Sequence, residues 1–149
     1  MSLSFRDLIS SLTALRLVSH VPVIAHVDLN SLGEIDGGSQ TFLNALMHKI
    51  DTIMMPAFTY RTMIIPAAGP ENNGVIYNHR KASHTHSEFF DPDMSADLEM
   101  GEVAELLRRE PGAARSSHPV YSFTSIGVDA ALRAQTISDP LAPLRVLAE

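Results

Sequence analysis

Histidine is the one side chain whose ordinary pKa lies close to neutrality, so its positions mark where proton chemistry could occur. His118 stands in Arg115-Ser116-Ser117-His118-Pro119, a polar turn between a helical pattern and an apolar run. The proline that follows pushes the His118 backbone toward an extended conformation. Ser116 and Ser117 can bond nearby backbone and stiffen the turn. A histidine held this way could act as a general base if an orienting partner and a substrate pocket accompany it. On these residues alone, a purely structural histidine is the rival reading. A second cluster, His79, His84, His86 and Glu88, lies in an irregular stretch. In an extended strand, His84, His86 and Glu88 would project to one side and could ligate zinc. The rival reading there is a polar loop that happens to be rich in histidine. A third candidate is Gly37-Gly38, bare backbone ahead of a helical pattern, which could meet a phosphate through free N–H groups or simply make a turn. The GxSxG elbow and the GxGxxG and Walker A phosphate loops are missing from the sequence.

Composition narrows the possibilities. The chain has 149 residues with 45% hydrophobic content, which suits one domain with one core. It has no cysteine, which removes disulfides and thiolate metal sites and fits a cytoplasmic protein. No apolar run approaches the ~18 residues of a membrane span, and the N-terminus lacks the pattern of a signal peptide. A net charge of −6 without a basic stripe argues against a nucleic-acid partner and favours a cationic ligand.

The elements that would position these residues follow from periodicity. Ser4 and Asp7 form a loose capping box ahead of Leu8, Leu12 and Leu15, one face of a helix ending near Val18. Val21 to Val27 has the length and β-branching of a buried strand. After a loop dense in turn formers, Phe42, Leu43, Leu46 and Met47 predict a helix starting near Ser39. Thr52 to Met55 predicts a strand stopped by Pro56, and this strand–helix–strand order predicts a parallel pair. Residues 60–93 form the irregular loop. Beyond it, Met100, Val103, Ala104 and Leu107 give a helix face, with Ser95 or Asp97 as N-cap and Pro111-Gly112 as its stop. Val120 to Ile126 predicts a buried strand with Tyr121 and Phe123 in the core, and two short helical patterns follow it.

With these elements in place, the chain resembles the aminoglycoside 3-N-acetyltransferases, the antibiotic acetyltransferase family. Met100-Gly101, Glu105, Arg108 or Arg109 with Pro111-Gly112, Arg115-Ser116, His118-Pro119, Ser122 and Gly127 match its long central motif in order and spacing. Phe90-Asp91-Pro92 and Ser95 match the lead-in. His26, Leu29, Ser31, Leu32, Gly33 and Gly37-Gly38 match its first loop. Met55-Pro56 with Phe58-Thr59 match the next strand, and Pro143-Leu144 with Leu147 resemble the helix after the motif.

The resemblance implies a three-layer α/β sandwich over residues 1–149, with a central mixed, largely parallel sheet and helices on both faces. It implies acetyl transfer from acetyl-CoA, as co-substrate, to an amine of an aminoglycoside, classically the 3-amino group of a 2-deoxystreptamine. His118 would be the general base and Glu105 the motif-matched acid. His26, Ser31, Gly37, Gly38, Arg115 and Ser116 would serve acetyl-CoA binding, with bracing of the turn the rival role for Arg115 and a packed or solvated helix position the rival role for Glu105. The sequence departs from the family in two ways. Val27 and Asp28 replace a serine pair associated with the CoA phosphates, and an aspartate there would repel them. Family members also continue past the motif into further strands and a segment carrying another His and a Glu. The chain is therefore expected to be an incomplete domain with an open sheet edge, which a homo-oligomer could cover. Two alternatives follow: a catalytically inactive remnant of the family, and the His-rich metal module.

Overall fold

The computed structural model describes residues 2–73, 77 and 87–149. The histidines at 79, 84 and 86 of the proposed zinc cluster lie outside the described residues. Helix α1 (Phe5–Ala14) opens with the expected capping box. Ser4 Oγ accepts from the Asp7 N–H at 3.3 Å, and the Ser4 N–H donates back to Asp7 Oδ2 at 2.9 Å. Strand β1 (Val23–Ile24), helix α2 (Gly38–Lys49) and strand β2 (Ile53–Pro56) make the strand–helix–strand unit, and β1 and β2 pair in parallel. Helix α3 (Glu102–Arg109) leads to β3 (Ala114–Arg115) and β4 (Phe123–Ile126), which pair as an antiparallel ribbon. Helices α4 (Asp129–Arg133) and α5 (Ala142–Ala148) close the described fold.

The strands form one four-stranded sheet in the order β1-β2-β4-β3. The sheet is mixed, as expected, but its parallel share is smaller than expected: β2–β4 and β4–β3 are both antiparallel. Both faces are covered. Ile53 and Met55 point to one face and pack with Leu43 and Leu46 of α2 and Val103 and Leu107 of α3. Met54 and Phe123 point to the other and pack with Ala131 and Leu132 of α4, flanked by Leu144 and Leu147 of α5. The period-two alternation along β2 thus assigns successive residues to opposite helix layers.

Three local expectations are corrected. Pro56 does not stop its strand but pairs with Phe123. The next residue, Ala57, donates to Ser122 O across β4 at 2.9 Å. Pro56 therefore turns its missing N–H to the opposite side, beyond the last bond from β1, where no donor is required. The strand expected over 21–27 contracts to Val23–Ile24. Neither Ser95 nor Asp97 caps α3. Its N-cap is Gly101, and Asp97 instead precedes a separate 3-10 turn, Leu98–Met100. Gly101 has φ +84, and a Cβ there would lie 2.7 Å from the Val27 carbonyl oxygen. Glycine is needed because this backbone sits against the loop after β1.

Candidate active site

The described β3–β4 ribbon carries His118 in its connecting loop, and a set of local bonds fixes that loop. Ser116 Oγ accepts from the Phe123 N–H at 2.8 Å, and the Ser116 N–H donates to Phe123 O at 2.9 Å. Pro119 O accepts from two hydroxyls, Thr59 Oγ1 at 2.6 Å and Thr62 Oγ1 at 2.8 Å. The Thr59 N–H donates to Val120 O at 2.9 Å. His118 itself is buried, at 9% exposure. Its Nδ1 accepts from the Val120 N–H at 3.1 Å and from the Tyr121 N–H at 3.0 Å. The imidazole is therefore a cap for its own loop, with Nε2 as the ring nitrogen left for other work.

Arg115 ties this ribbon to the rest of the fold. Its Nε donates to Ser122 Oγ at 3.1 Å and its Nη2 to Ala57 O at 2.8 Å. Its Nη1 donates to Pro92 O at 3.0 Å and also to Met94 O. The guanidinium lies over the Phe90 ring, 5.3 Å from the centroid. Burial, reinforced by the nearby positive charge of Arg108, lowers its pKa to about 10, so it remains a cation at neutral pH. Four donors are thus committed to backbone and serine. Arg115 and Ser116 brace the loop here, one of the two roles expected for Arg115. Both also line a shallow hollow of 420 Å³ with Asp129 and Arg133.

Glu105 is held in an ion cluster on α3. Its Oε2 accepts from the Ala96 N–H at 3.0 Å and from Arg108 Nε at 2.9 Å. Its Oε1 accepts from Arg108 Nη2 at 2.8 Å and Arg109 Nε at 2.7 Å. Burial alone would raise its pKa. The bonds from Arg108, the Ala96 N–H and Arg109 outweigh burial and pull it down to about 2. A carboxylate held this firmly in its charged form, with these four bonds, is a structural anchor and a poor proton carrier near neutral pH.

A groove of 590 Å³ lies between the loop after β1 and the start of α3. His26, Asp28, Asp97, Glu99, Glu102 and Glu105 line it, and no lysine or arginine does so among the described residues. Of the expected acetyl-CoA residues, only His26 reaches this groove. Ser31 Oγ donates to Asp28 O at 2.7 Å, which closes a 3-10 turn over Leu29–Ser31. Gly37 and Gly38 form the N-terminus of α2, both at positive φ, apart from the groove lining. The described member of the expected metal set, Glu88, pairs with Arg61 at 3.1 Å.

The sequence reading missed the parts that join groove and histidine loop. Arg61 Nη1 donates to Asp97 Oδ1 at 3.0 Å, and its Nη2 donates to Ser95 O at 2.6 Å. The Tyr60 N–H donates to Asp97 Oδ2, and the Asp97 N–H to Phe58 O at 2.9 Å. An aromatic row then runs from Tyr60 to the histidine. Tyr60 lies 6.3 Å from Tyr121, and Tyr121 lies 5.5 Å from His118, centroid to centroid. Phe123 is the core residue expected, but Tyr121 is only half-buried and flanks the histidine. A signal was present in Phe58-Thr59-Tyr60-Arg61, an aromatic-polar alternation just after a strand.

Comparison with known proteins agrees with this architecture. The family profile described as aminoglycoside 3-N-acetyltransferase matches residues 24–144. Aminoglycoside N(3)-acetyltransferase IX of Micromonospora chalcea is 32% identical over 117 residues, covering 73% of this chain and 38% of that relative. Among solved structures, YokD from Bacillus subtilis superposes with a TM-score of 0.77 at 24% identity, over 97% of this chain and 57% of that one. AAC-VIa bound to sisomicin superposes with a TM-score of 0.63 at 28% identity, over 88% of this chain and 48% of that one. The chain spans between 38% and 46% of the length of the curated relatives it matches. The profile match covers most of the chain, from β1 through the histidine loop to α5, and on that ground the chain belongs to the aminoglycoside 3-N-acetyltransferase family.

Proposed function

We propose that this protein transfers an acetyl group from acetyl-CoA to an amino group of an aminoglycoside. The acidic groove carries the reading. Asp97 and Glu105 are already paired with arginines, but Asp28, Glu99 and Glu102 form no ion pair among the described residues, which suits a polyamine; Tyr60, whose N–H donates to Asp97 of the groove, packs on Tyr121 beside His118. The amine nitrogen attacks the thioester carbonyl carbon, the C–N bond forms, and the C–S bond breaks with the thiol as leaving group. His118 serves this step. The expected role of general base would place the accepting lone pair on Nε2. The proton would then sit on Nδ1, where two backbone N–H groups already point.

The test is thiol release from acetyl-CoA by the purified chain with a 2-deoxystreptamine aminoglycoside. We expect one thiol per acetylated amine. No turnover with any amine tried would overturn the reading.

A second reading, an inactive member of the family, is favoured by Asp28, whose charge lines the groove near the loop expected to take CoA phosphates. Calorimetry separates the two, because an inactive remnant gives no saturable heat with CoA.

A further inference from the structure

We propose that the Leu98–Met100 turn is a specificity element that makes the acceptor site select molecules of two or more linked rings. One ring occupies the 590 Å³ groove, the next occupies an adjoining hollow of 360 Å³, and Leu98 stands between them. This rests on the acetyltransferase reading above.

The turn is built to hold a side chain out. A 3-10 helix has about three residues per turn, so its successive side chains point in different directions. Met100 is buried at 6% in the core cluster that includes Val103, which leaves Leu98 at 95% exposure. The Met100 N–H donates to Asp97 O at 2.9 Å and the Gly101 N–H to Leu98 O at 3.0 Å. The preceding residues are tied as well. The Ala96 N–H donates to Glu105 Oε2 at 3.0 Å, and Asp97 holds the Tyr60 N–H and Arg61. Leu98 therefore stands on a fixed support before any ligand arrives.

Residues 95–99 form a wall that the two cavities share. On one side, the loop after β1 and the start of α3 complete the groove. On the other, Tyr60 and Arg61 complete the hollow. A ligand confined to one side leaves part of Leu98 in water. One that crosses the wall covers it and gains from the apolar surface removed from water. Linked sugar rings suit the crossing, because each ring has C–H faces between its polar edges. The two sides also differ in charge. Asp28 and Glu102 line only the groove, and Glu99 lines both cavities. The Arg61 guanidinium lines only the hollow, where Asp97 and Glu88 balance it. The ring richest in ammonium groups therefore belongs in the groove and a hydroxyl-rich ring in the hollow.

Titration calorimetry on the purified chain tests this with two probes. One is 2-deoxystreptamine, a single ring, and the other is paromamine, the same ring linked to glucosamine. We expect the wild-type chain to bind paromamine more tightly. A buried methylene is worth about a fourfold change in affinity, so Leu98→Ala should weaken paromamine binding by roughly 5–15-fold and 2-deoxystreptamine binding by less than about 2-fold. The Leu98 side chain is exposed, so the melting temperature of Leu98→Ala should equal that of the wild type. Equal wild-type affinities for the two probes, or a Leu98→Ala loss that is the same for both, would overturn the proposal and leave the groove as the amine site. If neither probe gives saturable heat, the groove does not take the amine, and the acetyltransferase reading falls together with the proposal.

Discussion

At the scale of single residues, the motif positions separate by what already occupies their polar atoms. Arg115 gives four hydrogen bonds to groups from three segments, so its planar fork carries the geometry. Lysine keeps the charge but reaches only part of that set. Arg115→Lys should lose roughly 2–4 kcal/mol of stability, since bonds from a charged donor are each worth about 1.5–3 kcal/mol, measured by urea unfolding. A midpoint equal to wild type would show that the brace is dispensable. Glu105 gives a pH signature. Its pKa is depressed from 4.5 to about 2 in the folded chain, so its stabilising contribution is present above the unfolded value and is lost as pH falls through the folded one. Solvent reaches the Arg109 side of the cluster, so we expect roughly 1–2 kcal/mol lost between about pH 5 and pH 2, less than the bare shift would give. Glu105→Gln should flatten that acid limb in stability-versus-pH measurements, and an unchanged slope would assign the limb to other carboxylates. This ion cluster was legible in the sequence as acid–base spacing at i+3 and i+4 on a helix.

At the scale of elements, legibility followed the range of the signal. The capping box at Ser4 and Asp7, the α2 face and the parallel β1–β2 pair all rest on patterns within a few residues or on one short crossover, and all are present. Strand β3 has two residues, too few to show a period, and is held by its register to β4. The antiparallel β2–β4 pairing joins segments about seventy residues apart, and nothing local encodes its direction. The start of α3 was misplaced because Asp97 looks like a cap in sequence, while in space it serves the Tyr60 N–H and Arg61. Gly101 lets the start of α3 sit against the loop after β1. Gly101→Ala would require a left-handed backbone and a Cβ 2.7 Å from the Val27 carbonyl oxygen. We expect a loss of roughly 1–3 kcal/mol with displacement of the loop after β1, read as a lower melting temperature and shifted amide signals over residues 26–30. Shifts confined to α3 would mean that the helix yields and the loop does not.

At the scale of the whole molecule, the candidate site is a matter of charge brought together from distant segments. The net charge of −6 was visible at once, but its concentration in one groove was not. Residues 26–30, 95–99 and 101–105 supply the walls, and only the fold places Asp28 beside Asp97, Glu99 and Glu102. The expectation that Asp28 repels phosphate therefore applies to a groove whose charge it shares with four other carboxylates, and it can be tested separately from catalysis. Asp28 also accepts from the Asn30 N–H at 3.0 Å and so caps a 3-10 turn. Serine can cap the same N–H, so Asp28→Ser removes the charge while keeping the turn. Removing one unit charge several ångströms from a diphosphate, in an open groove of high effective dielectric, corresponds to about 1 kcal/mol. Asp28→Ser should accordingly tighten CoA binding by roughly 3–10-fold at low ionic strength and weaken aminoglycoside binding in the same range. Both effects should shrink toward 1 M salt, where the screening length falls to about 3 Å. Titration calorimetry of each ligand across a salt series measures both slopes. If CoA affinity does not change at any salt concentration while aminoglycoside affinity falls, the groove takes the amine and the phosphates bind elsewhere. If neither affinity changes, the groove is not part of the site.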